Sequence, residues 1–175
     1  MEKVKKRSKA GAFFRGVLII FLALILVIVG YVVYLQVNYY RIEDHAALEI
    51  ENNTESVLKI GDTYTAVTYN IGFGAYGPDY SFFMDTGEMK DGTKTSGKYG
   101  KAMSQESVEA HTEGALGVIE ALASDFYLLQ EVDVDADRSY HVNQEAYIKM
   151  AMTDYASVFA NNFHSAYLFY PFNDP

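Results

Sequence analysis

The sequence feature that most constrains the fold is a long apolar run near the N terminus. No charged residue occurs from Gly16 to Tyr40, and the centre of the run, Val17 to Leu35, is almost wholly aliphatic or aromatic. About 20 such residues in a helix cross the ~30 Å hydrocarbon core of a bilayer. The run also lacks the polar face that a helix at a protein surface would show. We therefore predict a transmembrane helix over residues 13–37, with the lipid bilayer as its partner.

Basic residues precede this run and predict its orientation. They are Lys3, Lys5, Lys6, Arg7, Lys9 and Arg15. Basic flanks stay on the cytoplasmic side of a membrane, so residues 1–12 form a cytoplasmic tail and the C-terminal part lies outside the cytoplasm. A cleaved signal peptide is the alternative, but its apolar stretch would be shorter and would end in small residues. We favour an uncleaved signal-anchor and a single-pass protein of the cell membrane.

The chain beyond this helix is acidic. Of 14 Lys and Arg and 23 Asp and Glu residues, seven basic and 22 acidic ones fall within residues 42–175. Such a charge repels the phosphates of nucleic acids unless a bound cation intervenes. The chain has no cysteine, which excludes disulfides and thiolate metal sites. Residues 38–62 are polar and acidic and are predicted to be a stalk or linker in front of a domain over residues 63–175.

The domain alternates strand patterns with helix patterns, which predicts the α/β class. One helix is predicted to begin after Ser104 and a second to run from Asn143 to about Asp154, because Ser and Asn cap helix N termini. The glycine-rich segment Gly72–Gly100 is predicted to be a long loop. Strands are predicted at Tyr64–Ile71, at Asp125–Val132 as a buried strand, at Ala156–Ala160 and at Ala166–Tyr170.

Two familiar motifs occur without the context that they need. Gly72–Gly77 matches the glycine pattern of dinucleotide sites, but Pro78 follows where a helix should open. Asp133–Asp137 resembles the start of a calcium loop, but Arg138 occupies the sixth position, where glycine is needed, and Gln144 the twelfth, where glutamate belongs. We therefore interpret neither segment as a nucleotide site or an EF-hand.

Polar side chains end two of the predicted strands. Asn70 lies at the end of the first strand, and Glu131 lies at the end of the strand that follows the first helix. Carboxylate and amide oxygens are hard ligands that suit Mg²⁺. From residue chemistry alone two interpretations stay open: a metal site, or two polar residues that only terminate their strands.

These two segments carry a resemblance to a known family. Thr68-Tyr-Asn-Ile71 and Leu129-Gln-Glu-Val132, about sixty residues apart with a helix between them, resemble motifs of the endonuclease/exonuclease/phosphatase superfamily. That family includes pancreatic deoxyribonuclease, inositol-polyphosphate phosphatases and bacterial sphingomyelinases. The resemblance implies that residues 63–175 are the N-terminal part of a two-sheet α/β sandwich of the deoxyribonuclease-like fold.

The same resemblance implies a set of roles. Glu131 would hold a catalytic divalent metal, Mg²⁺ or alternatively Mn²⁺ or Ca²⁺, and Asn70 would help to hold the metal or the scissile phosphate. Arg138 would contact the substrate phosphate. The implied function is a membrane-anchored, extracytoplasmic, metal-dependent phosphoesterase acting on nucleic acid, phospholipid or a small phosphoester. No protein partner is inferred.

The sequence departs from the family in its later motifs. The family also needs a His general base paired with Asp, an Asp/Asn pair and a final Asp-His, and none of these motifs precedes the last residues, Asn173-Asp-Pro175. We therefore expect these 175 residues to be the front part of a longer protein and to be inactive alone. The alternative is a non-catalytic, membrane-tethered binding domain on the same fold.

Overall fold

The computed structural model describes residues 9–53 and 57–165. These residues combine helices and short strands, as the α/β prediction requires. The helices are α1 (Lys9–Val37), α2 (Gln105–Leu122) and α3 (Gln144–Ala151), and the strands are β1 (Ile50–Glu51), β2 (Ala66–Asn70), β3 (Thr86–Glu88), β4 (Lys94–Ser96), β5 (Phe126–Gln130) and β6 (Ser157–Val158). The chain divides into two compact units, one containing α1 and the other containing residues 44–162.

The N-terminal helix α1 confirms the predicted apolar helix. It has 29 residues, and a rise of 1.5 Å per residue gives it a length of about 43 Å. Every side chain from Ala10 to Val37 is exposed to solvent. The helix is long and apolar enough to cross a membrane. A helix of this kind at an N terminus serves either as a membrane anchor or as a signal sequence.

The second unit is built around a parallel pair of strands. β2 and β5 pair in register from Ala66 opposite Phe126 to Asn70 opposite Gln130. Parallel neighbours need a long crossover connection, and the segment between these strands contains α2. The two predicted strands are therefore confirmed, each a little shorter than the pattern indicated.

The predicted burial of the second strand is wrong. Phe126 is 41% exposed and Leu128 is 56% exposed, while their neighbours Tyr127 and Leu129 are partly buried. Successive side chains point to opposite faces of a strand. Because no described element covers the face that carries Phe126 and Leu128, only the other face is sheltered.

The largest cluster of buried apolar residues lies beyond the carboxyl ends of β2 and β5, and Ala115, Leu116 and Ile119 of α2 are buried as well. The cluster consists of Phe73, Ala75, Tyr80, Ala102, Val108 and Val142, with Phe82, Tyr99, Tyr140 and Tyr147 packed around them. Most of these residues come from the loop after β2, from the start of α2 and from the turn before α3. The core therefore supports the loops at one end of the parallel pair.

Side-chain caps start both helices of this unit where the sequence predicts. The Ser104 hydroxyl accepts a hydrogen bond from the Ser107 N–H, and the Ser107 hydroxyl accepts one from the Ser104 N–H, both at 3.1 Å. Asn143 Oδ1 accepts from the Ala146 N–H at 2.9 Å. The predicted end of α3 at Asp154 is wrong, because Met152 already leaves the helical conformation.

The glycine-rich segment after β2 contains more structure than the predicted loop. β3 and β4 pair antiparallel within it, with Glu88 opposite Lys94. The connecting turn is held by Asp91, whose Oδ1 accepts from the Thr93 N–H at 2.9 Å, and Gly92 supplies a φ of +85°. The strands are short, polar and exposed, so their side chains carry no hydrophobic alternation that could have revealed them.

A second short pair of antiparallel strands links residues 38–62, the predicted stalk, to the strand predicted at Ala156–Ala160. β1 lies within residues 38–62 and pairs antiparallel with β6, with Ile50 opposite Val158. The strand predicted at Ala156–Ala160 is thereby confirmed in part, as Ser157–Val158. The strand predicted at Ala166–Tyr170 lies outside the residues that the structure describes.

Candidate functional site

The candidate site lies at the carboxyl ends of β2 and β5. Asn70 and Gln130 are the last paired residues of the two strands, and Glu131 follows directly. The two backbone segments stay hydrogen-bonded beyond the strands. The Ile71 N–H donates to the Gln130 carbonyl at 3.0 Å, and the Phe73 N–H donates to the Glu131 carbonyl at 2.9 Å. In open α/β sheets the carboxyl ends of parallel strands are where ligands bind.

The structure brings the two residues predicted from the sequence into direct contact. Asn70 Nδ2 donates a 2.8 Å hydrogen bond to Glu131 Oε1, and Asn70 Oδ1 accepts from the Gly72 N–H at 2.8 Å. These two bonds fix which end of the amide faces the carboxylate. Both side chains are exposed. Asn70 therefore orients the Glu131 carboxylate at the surface, and its own oxygen faces the backbone.

Left-handed backbone conformations cluster at this end of the strands. The φ angles are +58° at Gly72, +43° at Phe73, +70° at Gly74 and +53° at Glu131. Such angles in residues other than glycine cost about 1–3 kcal/mol each and concentrate at functional sites. Gly74 also has no room for a side chain, since an added Cβ would lie 2.9 Å from the Val108 carbonyl oxygen. Burial of the Phe73 ring, which is 1% exposed, offsets this cost.

Arg138 is held close to this edge by a neighbouring carboxylate. Its Nε donates to Asp133 Oδ2 at 2.9 Å and its Nη2 donates to Asp133 Oδ1 at 2.8 Å. Ser139 Oγ donates to the same carboxylate at 2.9 Å, and the guanidinium carbon lies 4.0 Å from the centre of the Phe73 ring. The side chain is 34% exposed. Two of its five N–H groups are bonded to Asp133, and the sequence did not predict this partner.

The electrostatics keep Arg138 charged. Burial alone would lower the pKa of Arg138, but the hydrogen bonds and charge of Asp133, followed by the charge of Glu131, raise that pKa overall. The charge of Glu131 therefore acts on the guanidinium, and the two groups belong to one electrostatic environment. The structure places the three predicted site residues, Asn70, Glu131 and Arg138, around the same group of loops.

A buried glutamine that the sequence pattern did not indicate supports this arrangement. Gln144 is fully buried. Its Oε1 accepts from the Asp133 N–H at 2.9 Å, and its Nε2 donates to Thr112 Oγ1 at 2.8 Å. Thr112 Oγ1 in turn donates to the Val108 carbonyl at 2.7 Å. Gln144 thus ties the residue that holds Arg138 to the middle of α2. Its position just after a helix cap gave no signal, because first-turn glutamines are ordinarily exposed.

The acidic segment that resembles a calcium loop surrounds a histidine. His141 Nδ1 lies 2.6 Å from Asp135 Oδ1, and His141 Nε2 lies 3.1 Å from Asp137 Oδ1. All three side chains are largely exposed. Both ring nitrogens therefore face carboxylates of the neighbouring loop.

In the described part of the chain, the edge offers few groups that could bind a metal ion. Among residues 9–53 and 57–165, no group of three or more His, Asp and Glu side chains could hold a metal ion. The edge offers the Glu131 carboxylate and an Asn70 oxygen that already accepts one hydrogen bond. Mg²⁺ commonly binds through one or two carboxylates and completes its shell with water and substrate phosphate, whereas Ca²⁺ takes six to eight oxygens. Glu131 is therefore the carboxylate that this edge would offer to a hydrated Mg²⁺, with water and phosphate completing the shell.

Comparison of the chain with protein-family models finds no match, and comparisons with curated proteins and with solved structures find none either. The structure itself defines the class of the protein. It is an α/β protein whose parallel strand pair places a polar edge at its carboxyl end, and whose N-terminal helix is long and apolar enough to cross a membrane.

Proposed function

We propose that this chain is a membrane-anchored, extracytoplasmic, metal-dependent phosphoesterase. Residues 63–175 would be the N-terminal part of a two-sheet α/β sandwich of the deoxyribonuclease-like fold. The observation that carries the proposal is the 2.8 Å contact between Asn70 and Glu131 at the carboxyl ends of two paired parallel strands. The two motifs that resemble the endonuclease/exonuclease/phosphatase superfamily are the segments that pair there, which supports the proposal further.

The location follows from the N-terminal segment. The apolar helix supports membrane anchoring through residues 13–37. The basic residues in front of it favour a cytoplasmic N terminus and an extracytoplasmic domain, since positive charge is retained on the cytoplasmic side. The proposed protein is therefore single-pass and presents its polar edge outside the cytoplasm.

Each residue of the edge has a distinct proposed role. Glu131 would hold a hydrated Mg²⁺ through its carboxylate, and Asn70 Nδ2 would keep that carboxylate oriented. Arg138, fixed on Asp133, would present its remaining N–H groups to the substrate phosphate. A bound divalent cation neutralises charge on a phosphoester and orients it for hydrolysis.

The substrate of the proposed site is a phosphate ester. Nucleic acid, phospholipid and small phosphoesters all carry the required group. The acidic charge of residues 42–175 disfavours a long nucleic acid, because many phosphates would then lie against a negative surface. Attachment to a membrane favours a lipid or a small phosphoester.

Metal binding is the activity that these residues should show by themselves. The resembled family uses a His–Asp base from later motifs, and residues 1–175 contain no segment that matches those motifs. We therefore expect the chain to bind Mg²⁺ or Mn²⁺ and phosphate without turning over DNA, a phosphodiester dye or sphingomyelin. Turnover of any of these substrates that is lost in Glu131→Gln would contradict this expectation of inactivity.

Calorimetric titration of the full chain in lipid nanodiscs with MnCl₂ tests the proposed site. We expect Glu131→Gln to weaken Mn²⁺ binding by tenfold or more, because the substitution removes the anionic ligand and retains the side-chain shape. Glu120→Gln, on the exposed surface of α2, is the matched control and should bind as the wild type does. Equal Mn²⁺ affinity in the wild type and in Glu131→Gln would reject the metal site and favour a binding domain without metal chemistry.

A further inference from the structure

An exposed aromatic ring lies beside the candidate site. Tyr76 follows the turn at Gly72–Gly74, and its side chain is 53% exposed. Its ring packs edge-on against Phe73, with centroids 5.9 Å apart, and against Tyr80, with centroids 5.0 Å apart. A Cβ added to Gly72 would lie 2.6 Å from Tyr76 Cδ2, so the ring also lies against the backbone just after β2.

Phe73 connects this ring to the charged groups of the edge. Its backbone N–H donates to the Glu131 carbonyl at 2.9 Å. Its buried ring contacts the Arg138 guanidinium at 4.0 Å and the Tyr76 ring at 5.9 Å. Tyr76, Arg138 and Glu131 are therefore each in direct contact with one rigid, buried residue.

The surroundings of the Tyr76 hydroxyl agree with this placement. Burial raises the pKa of Tyr76 first, the charges of Asp85 and Glu131 raise it further, and Arg138 lowers it. The phenol thus lies within the fields of both charged groups of the edge and stays protonated at neutral pH. It can donate a hydrogen bond, and its ring stays uncharged.

The contacts on Tyr76 hold its exposed ring in place. Three neighbours restrict the ring, so little side-chain entropy remains to be lost when a ligand covers it. A flat, unsaturated group gains more from such a surface than a short alkyl group does, because it stacks on the π-face. The phosphate of the same ligand would lie toward Glu131 and Arg138.

The geometry points to Tyr76 as an aromatic platform for the alcohol group of the phosphoester, which selects, from the substrates proposed above, a small aryl or nucleoside phosphate over a phospholipid or other alkyl phosphate. This inference rests on the proposed function, because the phosphate is held by the metal at Glu131. Stacking of a base on an aromatic side chain strengthens binding by about fivefold to a hundredfold.

The test compares phenyl phosphate with ethyl phosphate, which share a phosphate and differ in the organic group. Both are titrated into the full chain in nanodiscs with saturating MnCl₂ and without metal, and binding is followed by isothermal titration calorimetry. We expect the wild type to prefer phenyl phosphate by at least about fivefold with Mn²⁺. Tyr76→Leu should abolish the preference and leave ethyl phosphate binding unchanged, whereas Tyr76→Phe should keep the preference.

Controls separate this inference from the proposed function. Tyr64→Leu alters a tyrosine at the opposite end of the same sheet, where the ring meets Phe126, and should keep the preference. If the near-ultraviolet circular dichroism of the remaining tyrosines shows that Tyr76→Leu is unfolded, Tyr76→Gln is tested in its place. Two results would refute the aromatic platform and leave the metal site standing. In one, Mn²⁺ and ethyl phosphate bind through Glu131 but phenyl phosphate is not preferred. In the other, the preference for phenyl phosphate survives Tyr76→Leu. If Glu131→Gln leaves Mn²⁺ affinity unchanged, both are wrong.

Discussion

Replacement of the buried Gln144 by leucine tests how the site is supported. Leucine fills a similar volume, so the substitution removes hydrogen bonds without opening a large cavity. Two bonds are lost, one from the Asp133 N–H at 2.9 Å and one to Thr112 Oγ1 at 2.8 Å. The Thr112 hydroxyl still donates to the Val108 carbonyl, so this hydroxyl loses only the hydrogen bond that it accepts from Gln144. The Asp133 N–H loses its hydrogen-bond partner.

The magnitude follows from these two losses. A buried polar group left without a partner costs about 1–3 kcal/mol. The Asp133 N–H and the Thr112 oxygen together give an expected loss of about 2–4 kcal/mol in the free energy of unfolding. This is a large fraction of the roughly 5–15 kcal/mol that stabilises a typical domain. Because Asp133 also orients Arg138, we expect the phosphate affinity of the edge to fall as well.

The assay is urea unfolding of the full chain in nanodiscs, followed by the near-ultraviolet circular dichroism of its tyrosines. Gln130→Leu is the matched control. That glutamine donates hydrogen bonds to Thr68 Oγ1 and to the Leu128 carbonyl, but it is exposed, so water replaces these bonds and stability should change by no more than about 0.5 kcal/mol. Adding Thr112→Val to Gln144→Leu should cost less than the sum of the two single substitutions. A loss below about 0.5 kcal/mol for Gln144→Leu, or an equal loss for Gln130→Leu, would refute the supporting role.

Other substitutions test the remaining contacts. Arg138→Lys removes the paired hydrogen bonds to Asp133 and should lower the free energy of unfolding by about 1–3 kcal/mol in urea; unchanged stability would contradict the fixed pairing. The Thr65 N–H and hydroxyl hold the pKa of Asp125 below its ordinary 3.8, so the stability that Asp125 contributes is complete above pH 3.8 and is lost as pH falls through the lower folded pKa. Carboxyl NMR titration of Thr65→Val should show that pKa moving back toward 3.8, and an unmoved pKa would exclude the hydroxyl as a cause. Ser104→Ala should cost about 1 kcal/mol in urea through the lost cap of α2, and no loss would mean that water replaces the hydroxyl.

The elements that the sequence predicted are those with strong local signals. The helix starts after Ser104 and Asn143 were found because short polar side chains satisfy the free N–H groups of a first turn. The strand patterns of β2 and β5 were found because β-branched and aromatic residues are concentrated there. The resemblance implied roles for Asn70 and Glu131 at one metal site. The structure places the two side chains in contact, and their metal chemistry stays a prediction.

The missed features depend on contacts between distant residues. No local pattern in the sequence indicates that Gln144 would be buried between Asp133 and Thr112, since burial is decided by the packing of α3 against α2. The pairing of β1 with β6 joins two-residue strands that are far apart in sequence. The Asp91-Gly92 turn between β3 and β4 is the one signal that could have been used, because Asp-Gly is typical of tight hairpins. The exposure of Leu128 was missed because a short apolar run does not tell how many of its faces are covered.

The position of a bound cation tests the central claim most directly. Mn²⁺ broadens the amide NMR signals of nearby residues, so titration of ¹⁵N-labelled chain in nanodiscs with substoichiometric MnCl₂ locates the ion. The proposed site predicts selective broadening of the Gly72, Phe73 and Glu131 amides, with the amide of Asp154 unaffected, and loss of the broadening in Glu131→Gln. Broadening centred on Asp135 and Asp137, or an unchanged pattern in Glu131→Gln, would contradict a metal site at the carboxyl ends of β2 and β5.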